Sequence, residues 1–251
     1  MSREETAKTY AWFDPVLIPT KRFVFTNVCR GDYERYLALR ARAAIMASGL
    51  RLYDRRTLSY VRTIVRRGDT VIDVGANFGA YAAALAKMVG STGRVDAFEP
   101  QPDVFACLQQ MLGNRPHVNL LESALGASVG SGRIRIPTIA HGAVPEPALA
   151  HLALDDPTTQ DAGEGEFDVS ITTIDAHCAA FESLRYLKVD AEGTDLDVLR
   201  GGVETITRLR PFAQFECAED DELPPFAAFA NEIGYLPPRR IGELNFIIAP
   251  K

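Results

Sequence analysis

The stretch Val71-Ile72-Asp73-Val74-Gly75-Ala76-Asn77-Phe78-Gly79-Ala80 constrains the fold of this chain more than any other part of it. Thr70 to Val74 is a short apolar run rich in β-branched side chains. It is entered from the Gly68-Asp69 turn pair and left through glycine, which marks a buried strand. Helical spacing begins at once, near Phe78, so the strand must turn straight into a helix. Gly75 and Gly79 keep Cβ atoms out of that turn, and the free N–H groups of a helix start favour an electron-rich ligand group. The spacing is GxxxG. In the dinucleotide fingerprint GxGxxG a second glycine would stand where this chain has Asn77. Asp73, at the strand end, suits a cationic or hydroxyl-bearing ligand better than a pyrophosphate. A tight strand–helix turn with no ligand is the plainer alternative.

The same rhythm continues downstream. A second strand covers Arg94 to Phe98, a helix Pro102 to Leu112, and a third strand Val118 to Glu122. Strands alternating with helices imply a parallel sheet with right-handed crossovers, hence an α/β protein. Ile134 and Ile136 suggest a short strand, after which the rhythm stops. It resumes with a strand at Val169–Thr172 and a short helix at about Asp175–Phe181. A strand at Arg185–Val189, a helix at Leu196–Thr207 and a strand at Phe212–Glu216 follow, then a helix near Phe226–Ile233 and a last strand at Asn245–Ala249. Upstream, residues 32–66 read as helical, interrupted at Gly49, with Asp54 placed to cap a second helix. The chain therefore divides into a helical extension over residues 1–67 and an α/β domain over 68–251. The domain carries an insert at about 137–168, rich in Pro, Gly and acids, that reads as a lid, a binding loop or a disordered segment.

Two further motifs fall at strand ends. Phe98-Glu99-Pro100 closes the second strand, and an acid there, 20–25 residues past the glycines, can accept hydrogen bonds from ribose hydroxyls. Leu187-Lys188-Val189-Asp190-Ala191-Glu192-Gly193 runs a strand into two carboxylates and a glycine. Ligands in open α/β sheets sit beyond the carboxyl ends of the strands, so Asp190 and Glu192 should face the cleft. The alternative is that Glu192 or Asp195 caps the next helix.

Together these residues resemble the FkbM family of S-adenosylmethionine-dependent methyltransferases. The matching pieces are IDVGANFG (72–79), FEP (98–100), SALG (123–126), TTID (172–175), LKVDAEGTDLDVLRGG (187–202) and the FE pair (215–216). The resemblance implies a Rossmann-like class I methyltransferase fold, with a mostly parallel seven-stranded sheet whose last strand runs antiparallel beside the fifth. It implies that Asp73, Gly75, Asn77 and Gly79 surround the methionine part of the cofactor and that Glu99 takes the ribose hydroxyls. Gln101, Ser123 and Ala124 would border the adenine, with Asp190 also at the cofactor. Members of the family mostly methylate hydroxyls of sugars, polyketides and other small natural products. A hydroxyl is a poor nucleophile, so a base is expected. Asp190 is the first candidate, as base or as ligand of an ion, and Glu192 and Glu216 are the second-line acids. A divalent cation is compatible with these carboxylates, but no metal-ligand spacing indicates one. Thr173 and Asp175 lie in a family-typical segment with no assigned job.

Composition narrows the alternatives. With 251 residues, 47% hydrophobic and 24% charged, the chain is not disordered, collagen-like or coiled-coil. No membrane span and no signal peptide are expected, and four scattered cysteines fit reduced thiols in the cytoplasm. The four histidines form no cluster. The net charge of −6 conceals two poles: residues 1–67 hold fourteen basic side chains against six acidic ones, whereas 136–184 hold nine acids and no Lys or Arg. The sign of these poles suggests that the insert folds towards the arginines of residues 30–67. Arginines at helical spacing read as a solvated face, so no nucleic-acid partner is expected. A hydroxyl-bearing small molecule is the expected partner, and the N-terminal helices are a surface for homo-oligomer formation. The rivals are a nicotinamide-dependent oxidoreductase and a non-catalytic cofactor-binding module.

Overall fold

Thr70–Val74 is strand β1, the centre of a seven-stranded sheet, and the chain around it follows from the alternation of its side chains. The structure, a computed structural model, describes residues 24, 28–29, 32–49, 54–135, 138–139, 144–145, 151–153, 166–217 and 220–251. β2 (Arg94–Phe98) and β3 (Val118–Leu121) extend the sheet on one side of β1. On the other side lie β10 (Tyr186–Val189) and β11 (Phe212–Glu216), then β13 (Asn245–Ile248) and the two-residue β12 (Arg239–Arg240). The first five are parallel. β13, the last strand, runs antiparallel to β11 and is inserted between it and β12. This is the class I methyltransferase topology.

Helices cover both faces. α3 (Ala80–Val89) and α4 (Pro102–Leu112) pack on the side carrying Val71, Val95 and Tyr186. α5 (Ile174–His177), α6 (Asp195–Arg200), α7 (Val203–Leu209) and α8 (Leu223–Glu232) follow in the crossovers of β10 and β11 and after the sheet's fifth strand. The second core lies on the opposite face of the sheet, around Ile72, Leu187 and Phe215. The helix expected at Leu196–Thr207 is two helices. A Cβ on Gly201 would lie 2.0 Å from the Gly126 carbonyl oxygen, so the Gly201-Gly202 pair lets the break press against another backbone.

The N-terminal extension shares the core of the domain. α1 (Tyr33–Gly49) packs Leu37 and Ala41 against Phe78 and Val104. α2 (Arg55–Val61) buries Leu58 and Val61 in the α3 core, and Asp54 caps it by accepting from Thr57 N. Residues 1–23 lie outside the described residues.

The strand at Val169–Thr172 does not join the main sheet. It is the end of β9 (Glu166–Thr172), which pairs with β5 (Gly130–Arg135) and with β4 (Ala124–Leu125) in a separate sheet of order β4-β9-β5-β8, where β8 is His151–Ala153. Two residues of each of the short strands β6 (Thr138–Ile139) and β7 (Val144–Pro145) pair beyond β5. Residues 154–165, with four of the nine acids of 136–184, lie outside the described residues, as therefore does the contact expected between the insert and the arginines.

Candidate active site

The glycine turn is built by backbone demands. Gly75 has φ 71°, and a Cβ there would sit 1.9 Å from the carbonyl oxygen of Asp190. Only glycine lets the exits of β1 and β10 come this close. Asn77 takes φ 49°, and its Oδ1 accepts from Phe78 N at 2.8 Å, the local bond that makes asparagine tolerable there. Three other N–H groups of the turn are engaged inside the protein. Ala76 N donates to Phe98 O, Asn77 N to Glu99 Oε2 and Gly79 N to Ala76 O, each at 2.8 Å. These three donors hold β2 and the turn itself and are not turned to the cleft.

Beyond the strand ends lies a cleft of roughly 600 Å³, counted out to its open mouth. Gly75, Asn77, Glu99, Gln101, Ser123, Ala124, Asp190 and Glu192 line it, eight of the residues anticipated from the sequence. Three others do not. Asp73 is fully buried behind β1, Gly79 caps α3 with φ 81°, and Glu216 lies beside the acids without lining the cleft. Asp73 misses the cleft because the pleat turns it to the α3 face with Val71, while Ile72 and Val74 face the other way. The walls are completed by Phe98, Leu125 and Ile134, the last two from the second sheet, and by Thr194.

Glu99 forms the floor. It is only 3% exposed, and its two oxygens accept from Asn77 N at 2.8 Å and Gln101 N at 2.9 Å. Burial raises its pKa to about 7, against the pull of the Gln101 and Asn77 amides. Each oxygen retains accepting capacity for a ligand hydroxyl.

At the opposite end, acids crowd. Burial and the Asp190 charge push the Glu216 carboxyl up to about 8. Glu192, in a left-handed turn at φ 46°, is pushed up to about 9 by burial and by Asp190, Glu216 and Asp195. Glu192 is an exposed residue, so water at the mouth moderates the first of these causes. Asp195 is buried and raised to about 6 by burial and by Asp190. Its oxygens accept from Ala191 N and Glu216 N, both at 3.1 Å, which ties the exit of β10 to the end of β11. Neither Asp195 nor Glu192 is the N-cap of α6, which is Thr194.

Sequence reasoning passed over Lys188. It is 4% exposed, with Nζ 3.0 Å from Asp190 Oδ2 and 3.3 Å from both Asp73 Oδ1 and Gly75 O. A lysine inside an apolar strand was the available signal, because buried ammonium groups need partners. His177 is structural: its Nε2 lies 2.7 Å from Asp96 Oδ2, and its ring meets Phe98 edge-on. Among the described residues, no group of three or more His, Cys, Asp or Glu side chains is arranged to hold a metal ion.

Residues 73–234 match the methyltransferase FkbM domain. Among solved structures, the chain is similar to a methyltransferase FkbM from Methylobacillus flagellatus KT, at 14% identity and a TM-score of 0.50 over 83% of this chain. The chain spans 58% of that protein's length. It is also similar to an S-adenosylmethionine-dependent O-methyltransferase from Thermotoga maritima, at 15% identity and a TM-score of 0.43, covering 77% of this chain and 64% of that one. A third likeness is to fibrillarin from Aeropyrum pernix with bound S-adenosyl-L-methionine, at 10% identity and a TM-score of 0.45, covering 76% and 72%. A search of curated protein sequences returns no significant match.

Proposed function

The chain belongs to the FkbM methyltransferase family, whose cofactor is S-adenosyl-L-methionine, and from that premise we propose that it methylates a hydroxyl of a small molecule in this cleft. The observation that carries the reading is the pairing of Glu99 and Asp190 at opposite ends of one cleft. Glu99 offers buried acceptors to ribose hydroxyls. Phe98, Leu125 and Ile134 offer apolar surface to a flat base, between Gln101 and the Ser123-Ala124 backbone. Asp190 offers negative charge to a cationic group, with the Glu192 carboxyl beside it. These residues fit the cofactor and would hold it. When bound it supplies a methyl carbon already activated by the adjoining sulfonium.

The chain's own contribution is alignment, exclusion of water and handling of one proton. Asp190 lines the cleft and is held by Lys188, so it is the group placed to accept the proton of the acceptor hydroxyl. Glu192, at the mouth, contacts the acceptor's outer part, and Glu216 backs Asp190. Four free cysteines suit a reducing cytoplasm. α1 exposes Leu39 and Met46, two turns apart on one face, and that face is the one we assign to self-association. Among the described residues, no helix is long and apolar enough to cross a membrane.

The test is methyl transfer from labelled S-adenosyl-L-methionine to a panel of sugar, polyketide and amine acceptors. With the acceptor found, Asp190→Asn should lose at least about a hundredfold in kcat while still binding S-adenosylhomocysteine. Wild-type turnover in that variant would remove Asp190 as the base. Transfer to amines alone would overturn the hydroxyl assignment.

A further inference from the structure

Buried charges in a sheet interior need an account, and this sheet carries a row of polar residues at one level. Asp73 of β1 stands in register with Lys188 of β10, and Lys188 with Gln214 of β11. All three point to the α2–α3 face, between apolar rows formed by Val71 and Tyr186 on one side and the cleft on the other. Gln214 is satisfied by its neighbours. Its Oε1 accepts from the hydroxyls of Tyr81 and Tyr186, and its Nε2 donates to Asn245 Oδ1. Both Asp73 oxygens are buried; the Lys188 ammonium stands 3.3 Å from Oδ1, and the Ala82 backbone amide also steadies the carboxyl.

Lys188 is therefore the hinge of the arrangement. Behind it are Asp73 and the face of the Tyr81 ring, whose centroid is 5.2 Å from Nζ. In front of it are Asp190 and the carbonyl of Gly75, both on the cleft wall. The other ionisable groups that feel its charge are Glu99 from β2, Glu192 from the β10 exit, Asp195 from α6 and Glu216 from β11. All are acids. Of these carboxyls, the ammonium stands 3.3 Å from Asp73 behind it and 3.0 Å from Asp190 on the cleft side.

We infer that Lys188 is a positioning residue: anchored on Asp73, it fixes the Asp190 carboxylate and the Gly75 carbonyl in the geometry that receives the cofactor. The inference rests on the methyltransferase reading and deepens it. Asp73 thereby acts on the ligand through Lys188 and not by contact. Asp73 without the lysine would be an uncompensated buried charge, which is why the acid in β1 is matched by a lysine in β10.

The experiment compares wild type, Lys188→Met and the double variant Asp73→Asn/Lys188→Met by thermal unfolding and by calorimetric titration with S-adenosylhomocysteine. Lys188→Met alone should melt well below wild type, because it strands Asp73. The double variant removes both buried charges and should recover the melting temperature, yet bind S-adenosylhomocysteine at least about tenfold more weakly. A purely structural lysine would let affinity return with stability. Wild-type affinity in the double variant overturns the inference, as does a double variant that still melts early, since the ammonium would then be a fold determinant. If wild type itself fails to bind S-adenosylhomocysteine, the methyltransferase reading falls first, and the two failures are distinguishable.

Discussion

Glu99 and Lys188 mark the two extremes of what single residues disclose. Glu99 could be read from spacing, since an acid ending the second strand at this distance from the glycines has few other uses in an α/β sheet. Its environment sharpens that reading: two backbone amides fix the carboxylate, and burial raises it to about 7. Replacing it with glutamine keeps the volume and exchanges one accepting oxygen for a donor. Glu99→Gln should therefore weaken S-adenosylhomocysteine binding by at least about tenfold, in a calorimetric titration at neutral pH. Lys188 could not be assigned from spacing, because its role depends on the register that sets it beside Asp73. Asp73 was legible as an acid of importance but not as an indirect one. Periodicity alone does not say which face of β1 is the ligand's.

At the scale of elements, the main parallel sheet was legible because each strand is a short apolar run bounded by turn residues. β2, α4 and β11 fall at the expected residues. The second sheet was legible only in part. The strand at Val169–Thr172 and the hint at Ile134 fall in β9 and β5, but β4 has two residues, and β5 begins with Gly130-Ser131-Gly132, which carries no strand pattern. The TTID segment acquires a job only once α5 and α7 are adjacent. Thr173 Oγ1 accepts from Ala176 N at 3.0 Å and caps α5. Asp175 accepts from Thr205 N at 2.7 Å and from Glu204 N at 3.2 Å, so it satisfies the first turn of α7 from thirty residues away. Asp175→Ala should cost about 1–2 kcal/mol, measured by urea unfolding, without changing cofactor affinity.

Across the whole molecule, charge governs behaviour more than the average of −6 suggests. Asp73, Glu99, Asp195 and Glu216 all have folded pKa values raised above their ordinary ones, to about 6, 7, 6 and 8, burial being the first cause in each. The folded state therefore binds protons that the unfolded state has released. The stability these groups contribute is fully present below about pH 4 and is lost as pH rises through 6 to 8. Asp96 works in the other direction. His177, Arg94 and Asn119 hold its carboxyl low against burial, so its contribution is lost only as pH falls below the ordinary carboxylate range. Without cofactor the protein should melt higher at about pH 5.5 than at about pH 8.5, by differential scanning calorimetry. Asp195 and Glu216 stand beside Asp190 at the end of the cleft that faces a cationic cofactor, so part of the electrostatic cost in the free protein and the affinity for that ligand have one origin. The most direct test of the account is calorimetric titration of the intact protein with S-adenosylhomocysteine and, separately, with NAD. The account predicts saturable binding of S-adenosylhomocysteine, lost or much weakened in Glu99→Gln, and no binding of NAD. Binding of NAD alone, or S-adenosylhomocysteine binding indifferent to Glu99, would contradict it.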